Sequence, residues 1–348
     1  MKILIDKLRG KRSLSADEYL QLISCKDLEV INYLQGQARE VAVSQFGNKV
    51  YMRGLIEISN SCWNNCFYCG IRKNNTRVKR YRMSKAEILD CCEKGYNSGI
   101  RTFVLQGGED PHVFDAKTEE IIAAIRNRYP DCAITLSLGE KSREAYERFF
   151  NAGANRYLLR HETYNEEHYR RLHPKRMVLE NRLRCLNDLK EVGYQTGTGI
   201  MVGSPLQTAA HIVEDLQFIE KFQPEMIGIG PFIPHKETPF ALFPSGSVRQ
   251  ALILISILRL MFPASLIPAT TSLATSTPSG RERGIIAGAN VVMPNLTPYK
   301  YRKNYDLYDN KVSSGAESVD GIETLRSRMQ AIGYDVTGER GDYNPITG

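Results

Sequence analysis

Two hydrophobic periods alternate along the chain. Short runs rich in Val, Ile, Leu and Tyr predict strands at 52–59, 102–106, 133–138, 156–160, 195–202, 226–230, 266–270 and 290–293. Between them, apolar positions spaced by three and four predict helices at 84–98, 116–128, 142–152, 178–192, 209–221 and 247–261. Ser84 followed by Glu87 has the spacing of a capping box, which marks the start of the first of these. Eight strands, each followed by a helix or loop, make a closed α/β (βα)8 TIM barrel the economical architecture. Residues 1–47 read as an N-terminal helical extension and 48–303 as the barrel. From 304 to 348 the chain is polar and glycine-rich, with one helix near 317–332, and reads as a short C-terminal cap and tail.

Composition narrows the function classes. The chain has 348 residues, 42% hydrophobic and 24% charged, enough apolar material for a large core. No run of eighteen apolar residues occurs, and 251–262 is broken by Ser256 and Arg259, so no membrane span is expected. The first residues lack the apolar core of a secretory signal. Eight cysteines without such a signal point to a reducing cytoplasm. The net charge of +7 is spread along the chain, apart from the segment from Arg72 to Arg82. A solvated basic rim that draws in anionic substrates accounts for it better than a nucleic-acid site.

The chemistry begins after the first strand. Cys62, Cys66 and Cys69 form a C-x3-C-x2-C loop that supplies three thiolates and no fourth. A structural zinc site takes four ligands, commonly as two pairs, and no second pair follows nearby. A cubane iron–sulfur cluster held by three cysteines keeps one iron open. Cys25, Cys91, Cys92, Cys132 and Cys185 read as structural.

Other polar residues gather where the strands end: Gly107, Gly108, Glu109, Asp110 and Pro111; Thr135 and Ser137; Arg160, His161 and Glu162; Met201; His235; Thr270 and Thr271; Met293 and Asn295. Each has a plain reading as a strand-to-helix turn, a core histidine, an ion pair or apolar filler. Their joint placement at the C-terminal ends of strands is what points to a site. An arginine in a barrel mouth wants an anionic partner, and a ligand carrying carboxylate or cyanide supplies one.

The cysteine spacing, with the aromatic Tyr68 before the last cysteine, resembles that of the radical S-adenosylmethionine (SAM) enzymes. RGLIEISNSCWNNCFYCG, VLQGGEDP, NRYLLRHET, GIGPFIPH, IPATT and NVVMPN together resemble the HydE family of [FeFe]-hydrogenase maturases over residues 48 to 310. The resemblance implies that Cys62, Cys66 and Cys69 hold a [4Fe–4S] cluster whose open iron chelates SAM. It implies that Tyr68 lies near the adenine and that the turn Gly107, Gly108 and Glu109 meets the methionyl amino group. Glu162 would bind the ribose hydroxyls and Arg182 the methionyl carboxylate. Arg160, Thr135, Ser137, Thr270, Thr271, Asn295, Tyr305 and Tyr308 would line the substrate cavity. The implied substrate is a small organometallic one, an iron–cysteine dicarbonyl cyanide complex. The implied partners are the maturases HydG and HydF, in an anaerobic cytoplasm.

Two departures from the family matter. No cysteine follows Cys185, so a second C-terminal cluster is not expected, and Gly107 stands where some relatives have serine. Rival readings are a methylornithine synthase-like lysine mutase and a biotin synthase-like sulfur inserter. A non-catalytic metal scaffold is the third. Arg160-His161 before Glu162 favours the maturase over the mutase. The inserter needs further cysteines on strands, and only Cys132 is so placed. A scaffold leaves the strand-end polar residues without purpose.

Overall fold

The computed structural model describes residues 1–110, 115–312 and 318–345. Six parallel strands follow one another in sequence order: Gly54–Ser59, Thr102–Gly107, Ala133–Ser137, Arg156–Leu158, Gln195–Thr198 and Met226–Ile227. The ladder then continues through single bridges. Met226 pairs with Leu266, and Pro268 pairs with Val291 of the strand Val291–Val292. Val291–Val292 pairs parallel with Lys49–Met52, and the Leu55 N–H donates to the Pro294 carbonyl at 2.9 Å, returning the ladder to the first strand. The eight-stranded parallel barrel closes as the hydrophobic pattern predicted. The seventh strand consists of these bridges because Pro268 has no N–H to donate.

Helix boundaries lie within about a residue or two of the expected ones, and their caps explain why. Ser84 caps Lys85–Asn97 in a reciprocal box with Glu87. Ser142 and Ser247 cap Arg143–Asn151 and Val248–Met261. The helix Val248–Met261 is buried from Ala251 onward because the N-terminal helices Lys2–Lys11, Ala16–Ile23 and Leu28–Phe46 pack over it. Arg259, which interrupts its apolar run, is buried too. Its guanidinium donates to the carbonyls of Gly288, Phe262, Pro263 and Ser265 and to Asn290 Oδ1. Among the described residues no helix is long and apolar enough to cross a membrane. All eight cysteines are free, with Cys91, Cys92, Cys132 and Cys185 buried.

The C-terminal segment does more than cap. Asp335–Thr337 adds a parallel strand to Lys49–Met52, a pairing that three residues gave no means to foresee. Beyond it, the fully buried Arg156 meets Asp342 at 2.7 Å and the Arg340 and Gly341 carbonyls, closing the N-terminal end of the barrel. The helix before it runs Ile322–Gln330, after a 3-10 turn Val319–Gly321. Pro111 of the glycine turn, residues 313–317 of the polar stretch after Lys311, and 346–348 lie outside the described residues. The expected start of the last helix at Glu317 falls in that stretch.

Strand alternation decides what faces the lumen. Ile56, Ile58, Phe103, Leu105, Ile134, Leu136, Tyr157 and Leu159 join the shell between barrel and helices. Their neighbours Glu57, Gln106, Thr135, Ser137, Leu158 and Arg160 therefore turn inward.

Candidate active site

The cysteine loop leaves the first strand after Ser59 and is fixed from several sides. Arg80 donates to the carbonyls of Asn60, Ile71, Arg72 and Asn75 at 2.6–3.0 Å, so part of the supposed basic rim is an internal staple. Asn60 donates to the carbonyls of Lys79 and Asn304 and accepts from the Tyr81 N–H. The Trp63 N–H donates to the Glu109 carbonyl, and the Gly70 N–H to that of Leu307. Glycine is required where neighbours crowd in. A Cβ on Gly108 would stand 2.3 Å from the Ser61 oxygen and 2.8 Å from Cys62 Cβ, and one on Gly70 would stand 2.1 Å from the Asp306 oxygen.

The three thiols fit a cluster. Burial pushes all three upward, Cys69 to about 12, and each of Cys66 and Cys69 is pushed further by the charges of neighbouring cysteines, which places the three in one electrostatic pocket. Such thiols stay protonated until a metal replaces the protons. Cys66 Sγ packs against Met177 Sδ at 3.7 Å.

Around the loop stand the residues expected to meet SAM. Tyr68 is held by His173, whose Nδ1 lies 3.0 Å from the Tyr169 carbonyl and 3.1 Å, through Nε2, from the tyrosine hydroxyl. Burial and Arg182 push the His173 imidazole down to about 3, so it is neutral. Nδ1 then carries the proton, and Nε2 accepts from Tyr68. Glu109 has both oxygens engaged, one by Trp63 Nε1 at 3.0 Å and the other by the Glu140 N–H at 2.8 Å. That leaves the backbone around Gly107 and Gly108 as the open edge of the turn.

Glu162 is buried with φ of +67°, a left-handed conformation that a non-glycine residue adopts at a cost of about 1–3 kcal/mol. Its Oε1 faces Arg160, and its Oε2 is buried without a partner among the described residues. Arg182 is buried; its Nε donates to Glu140 Oε1 at 2.6 Å and its Nη1 to the Arg160 carbonyl. Burial opposes its charge, but Tyr169, Glu140 and Tyr68 more than offset that and raise it. The strained backbone and unsatisfied carboxylate oxygen mark a place built for a ligand.

Deeper in the lumen, Thr135 Oγ1 is also buried without a partner, beside Ser137 on the same strand face. Thr270 stands at the N-cap position of the helix Thr271–Ser276 without a side-chain capping bond, and its hydroxyl lies 3.0 Å from that of Ser272. Gly230 allows this approach, since a Cβ there would stand 2.5 Å from Thr270 Oγ1. Tyr305 is buried under the mouth with its hydroxyl 3.2 Å from Gln106 Nε2, and Tyr308 is half-buried three residues later. His161 is the core histidine its plain reading gave, between Thr198 Oγ1 and Asp215.

Sequence reasoning missed Glu57 and Lys311. Glu57 is the acidic residue inside the apolar strand Gly54–Ser59, a signal that was visible, and it is fully buried in an ion pair with Lys311. It also missed a roof: the segment 304–312 lies over the mouth, with the Asp309 N–H donating to the Pro234 carbonyl. His235, Asp306 and Asp309 come together there at 3.9 Å. Their types suit a metal ion, but His235 Nδ1 accepts from the Glu237 N–H at 3.0 Å. That bond leaves only Nε2 facing the two carboxylates.

Residues 56–219 match the Radical SAM superfamily. Over 330 residues the chain is 43% identical to the [FeFe] hydrogenase maturase subunit HydE of Thermotoga maritima, covering 95% of this chain and 94% of the relative. It is 30% identical to the 3-methylornithine synthase of Methanosarcina acetivorans, covering 92% and 90% of the two chains. A solved methylornithine synthase (PylB) superposes with a TM-score of 0.83 at 27% identity, covering 96% and 97%.

Proposed function

The chain belongs to the radical SAM superfamily and, within it, to the HydE family, and on that premise we propose that it processes an iron–cysteine dicarbonyl cyanide complex during maturation of the [FeFe]-hydrogenase. It is an enzyme that uses a [4Fe–4S] cluster and SAM. When bound and reduced, the cluster would supply one electron to SAM, whose cleavage would give methionine and a 5′-deoxyadenosyl radical. The chain's own residues bind, orient and shield. Cys62, Cys66 and Cys69 hold the cluster, and the Arg80 staple keeps their loop against the barrel rim. Glu162 offers Oε2 to a ribose hydroxyl, Arg182 faces the methionyl carboxylate, and Tyr68, fixed by His173, walls the adenine side. Arg160, Thr135, Ser137, Thr270 and Thr271 hold the anionic complex in the lumen. Tyr305 and Tyr308 close over it and keep water out.

The observation that carries this reading is the 43% identity across nearly the whole of both chains, with Arg160 placed beside Glu162 at the mouth. On this reading HydG supplies the substrate, HydF receives the product, and the compartment is a reducing, oxygen-poor cytoplasm. The 0.83 superposition on a methylornithine synthase keeps a lysine mutase as the second reading. Anaerobic SAM turnover by the loaded, reduced protein separates them. Consumption of the iron complex with appearance of a low-valent iron or adenosyl–sulfur species supports the maturase. SAM cleavage that leaves the complex intact but converts lysine supports the mutase.

A further inference from the structure

Glu57 of the first strand and Lys311 of the C-terminal segment meet at the barrel mouth. Glu57 is 0% exposed and Lys311 7% as side chains, and Lys311 Nζ donates to Glu57 Oε1. The same Nζ donates to the Tyr305 carbonyl at 2.9 Å and stands 4.8 Å from the centre of the Tyr305 ring. Among the described residues Glu57 Oε2 is buried without a hydrogen bond. A carboxylate, a carbonyl and an aromatic ring converging on one point are the donor-free surroundings that recognise an alkylammonium group. Lys311 also lines a cavity of about 500 Å3, together with Lys236, Arg302, Lys303, Asp306 and Asp309.

We propose that Glu57 and Tyr305 form an ammonium-binding cage at the top of the lumen, filled in this chain by its own Lys311, and that this occupancy excludes free alkylammonium ligands. Emptying the cage leaves a buried carboxylate uncompensated, which favours uptake of any amine that fits. The cage stands on the geometry alone. Its consequence, selection against amino-terminated substrates in favour of an anionic one, rests on the maturase reading.

The test uses the full chain with its cluster, comparing wild type, Lys311→Ala and the doubly neutral Glu57→Gln/Lys311→Ala. The probe is n-propylammonium, the missing part of the lysine side chain, with n-propanol as the uncharged control. The thermal midpoint of Lys311→Ala is expected to rise with the logarithm of probe concentration above its dissociation constant, by about 2 °C at ten times that constant, and not with propanol. Wild type and the double variant are expected not to respond. If Lys311→Ala accumulates unfolded, its soluble yield with the probe in the growth medium is read against that of the double variant. No response in Lys311→Ala, or an equal one without Glu57, overturns the proposal. Neither readout depends on turnover of the iron complex, so failure of the maturase reading and failure of the cage are separately visible.

Discussion

Arg160 aims Nε and Nη2 at a single oxygen of Glu162, Oε1, at 3.1 and 3.0 Å, and leaves Oε2 buried with no partner among the described residues. A carboxylate paired on one side only, on a backbone at φ +67°, has kept an acceptor in reserve.

Glu162→Gln therefore tests the reserve acceptor. A hydrogen bond to a charged group contributes about 1.5–3 kcal/mol, so SAM affinity is expected to fall on the order of 10- to 100-fold. Iron content should stay at the wild-type level. Equilibrium dialysis with labelled SAM, beside iron analysis, checks both, and undiminished affinity rules the ribose role out.

Arg182→Lys asks whether the fork matters or only the charge. Lysine cannot serve Glu140 and the Arg160 carbonyl while also presenting a planar pair of donors outward. SAM binding is expected to weaken at least about tenfold, in line with losing one charge-assisted hydrogen bond. The SAM-dependent change in the cluster's EPR signal reports it, and a wild-type titration curve would argue for a purely structural arginine.

Gly107 and Gly108 are neighbours with opposite expected tolerance. A Cβ on Gly107 meets its nearest atoms, Leu138 Cδ2 and the Ser59 oxygen, at 3.3 Å, which a small shift relieves. On Gly108 it meets the Ser61 backbone oxygen at 2.3 Å, and the cysteine loop itself must move. Gly107→Ala should retain nearly full iron content after reconstitution, and Gly108→Ala should lose most of it while circular dichroism still shows a folded barrel. Equal iron retention in both would mean the loop is more compliant than its packing implies.

His173 gives the acid limb of stability a defined contributor. Its folded-state value is depressed to about 3 from the ordinary 6.5, so the unfolded chain binds the extra proton in between. Stability from this group is complete above about pH 6.5 and is lost as the pH falls toward 3. The loss is about 2 kcal/mol at pH 5, from roughly 1.4 kcal/mol per unit of difference. Thermal midpoints of wild type and His173→Asn between pH 7 and 4.5 should differ in slope, the variant being flatter. Parallel slopes would place the acid sensitivity elsewhere.

The barrel was legible because its strands and helices carry their own punctuation. Ser84, Ser142 and Ser247 stand at helix starts and cap them as their positions suggest. The cysteine loop was legible because its three ligands are local, within eight residues. Asp335–Thr337 was not, since a three-residue strand has no period to detect and exists only because Lys49–Met52 offers it an edge.

By itself, then, the sequence determined the alternating elements, the three-cysteine loop and the set of polar residues at strand ends, all of which depend on neighbours along the chain. Tertiary structure alone decided that Arg80 staples the loop rather than facing solvent, and that Glu109 spends both oxygens on Trp63 and Glu140. It also decided that Lys311 reaches back across 254 positions to Glu57. The reason is physical: a buried charge takes whichever partner closure of the fold brings within a few ångströms, and no local pattern encodes that choice.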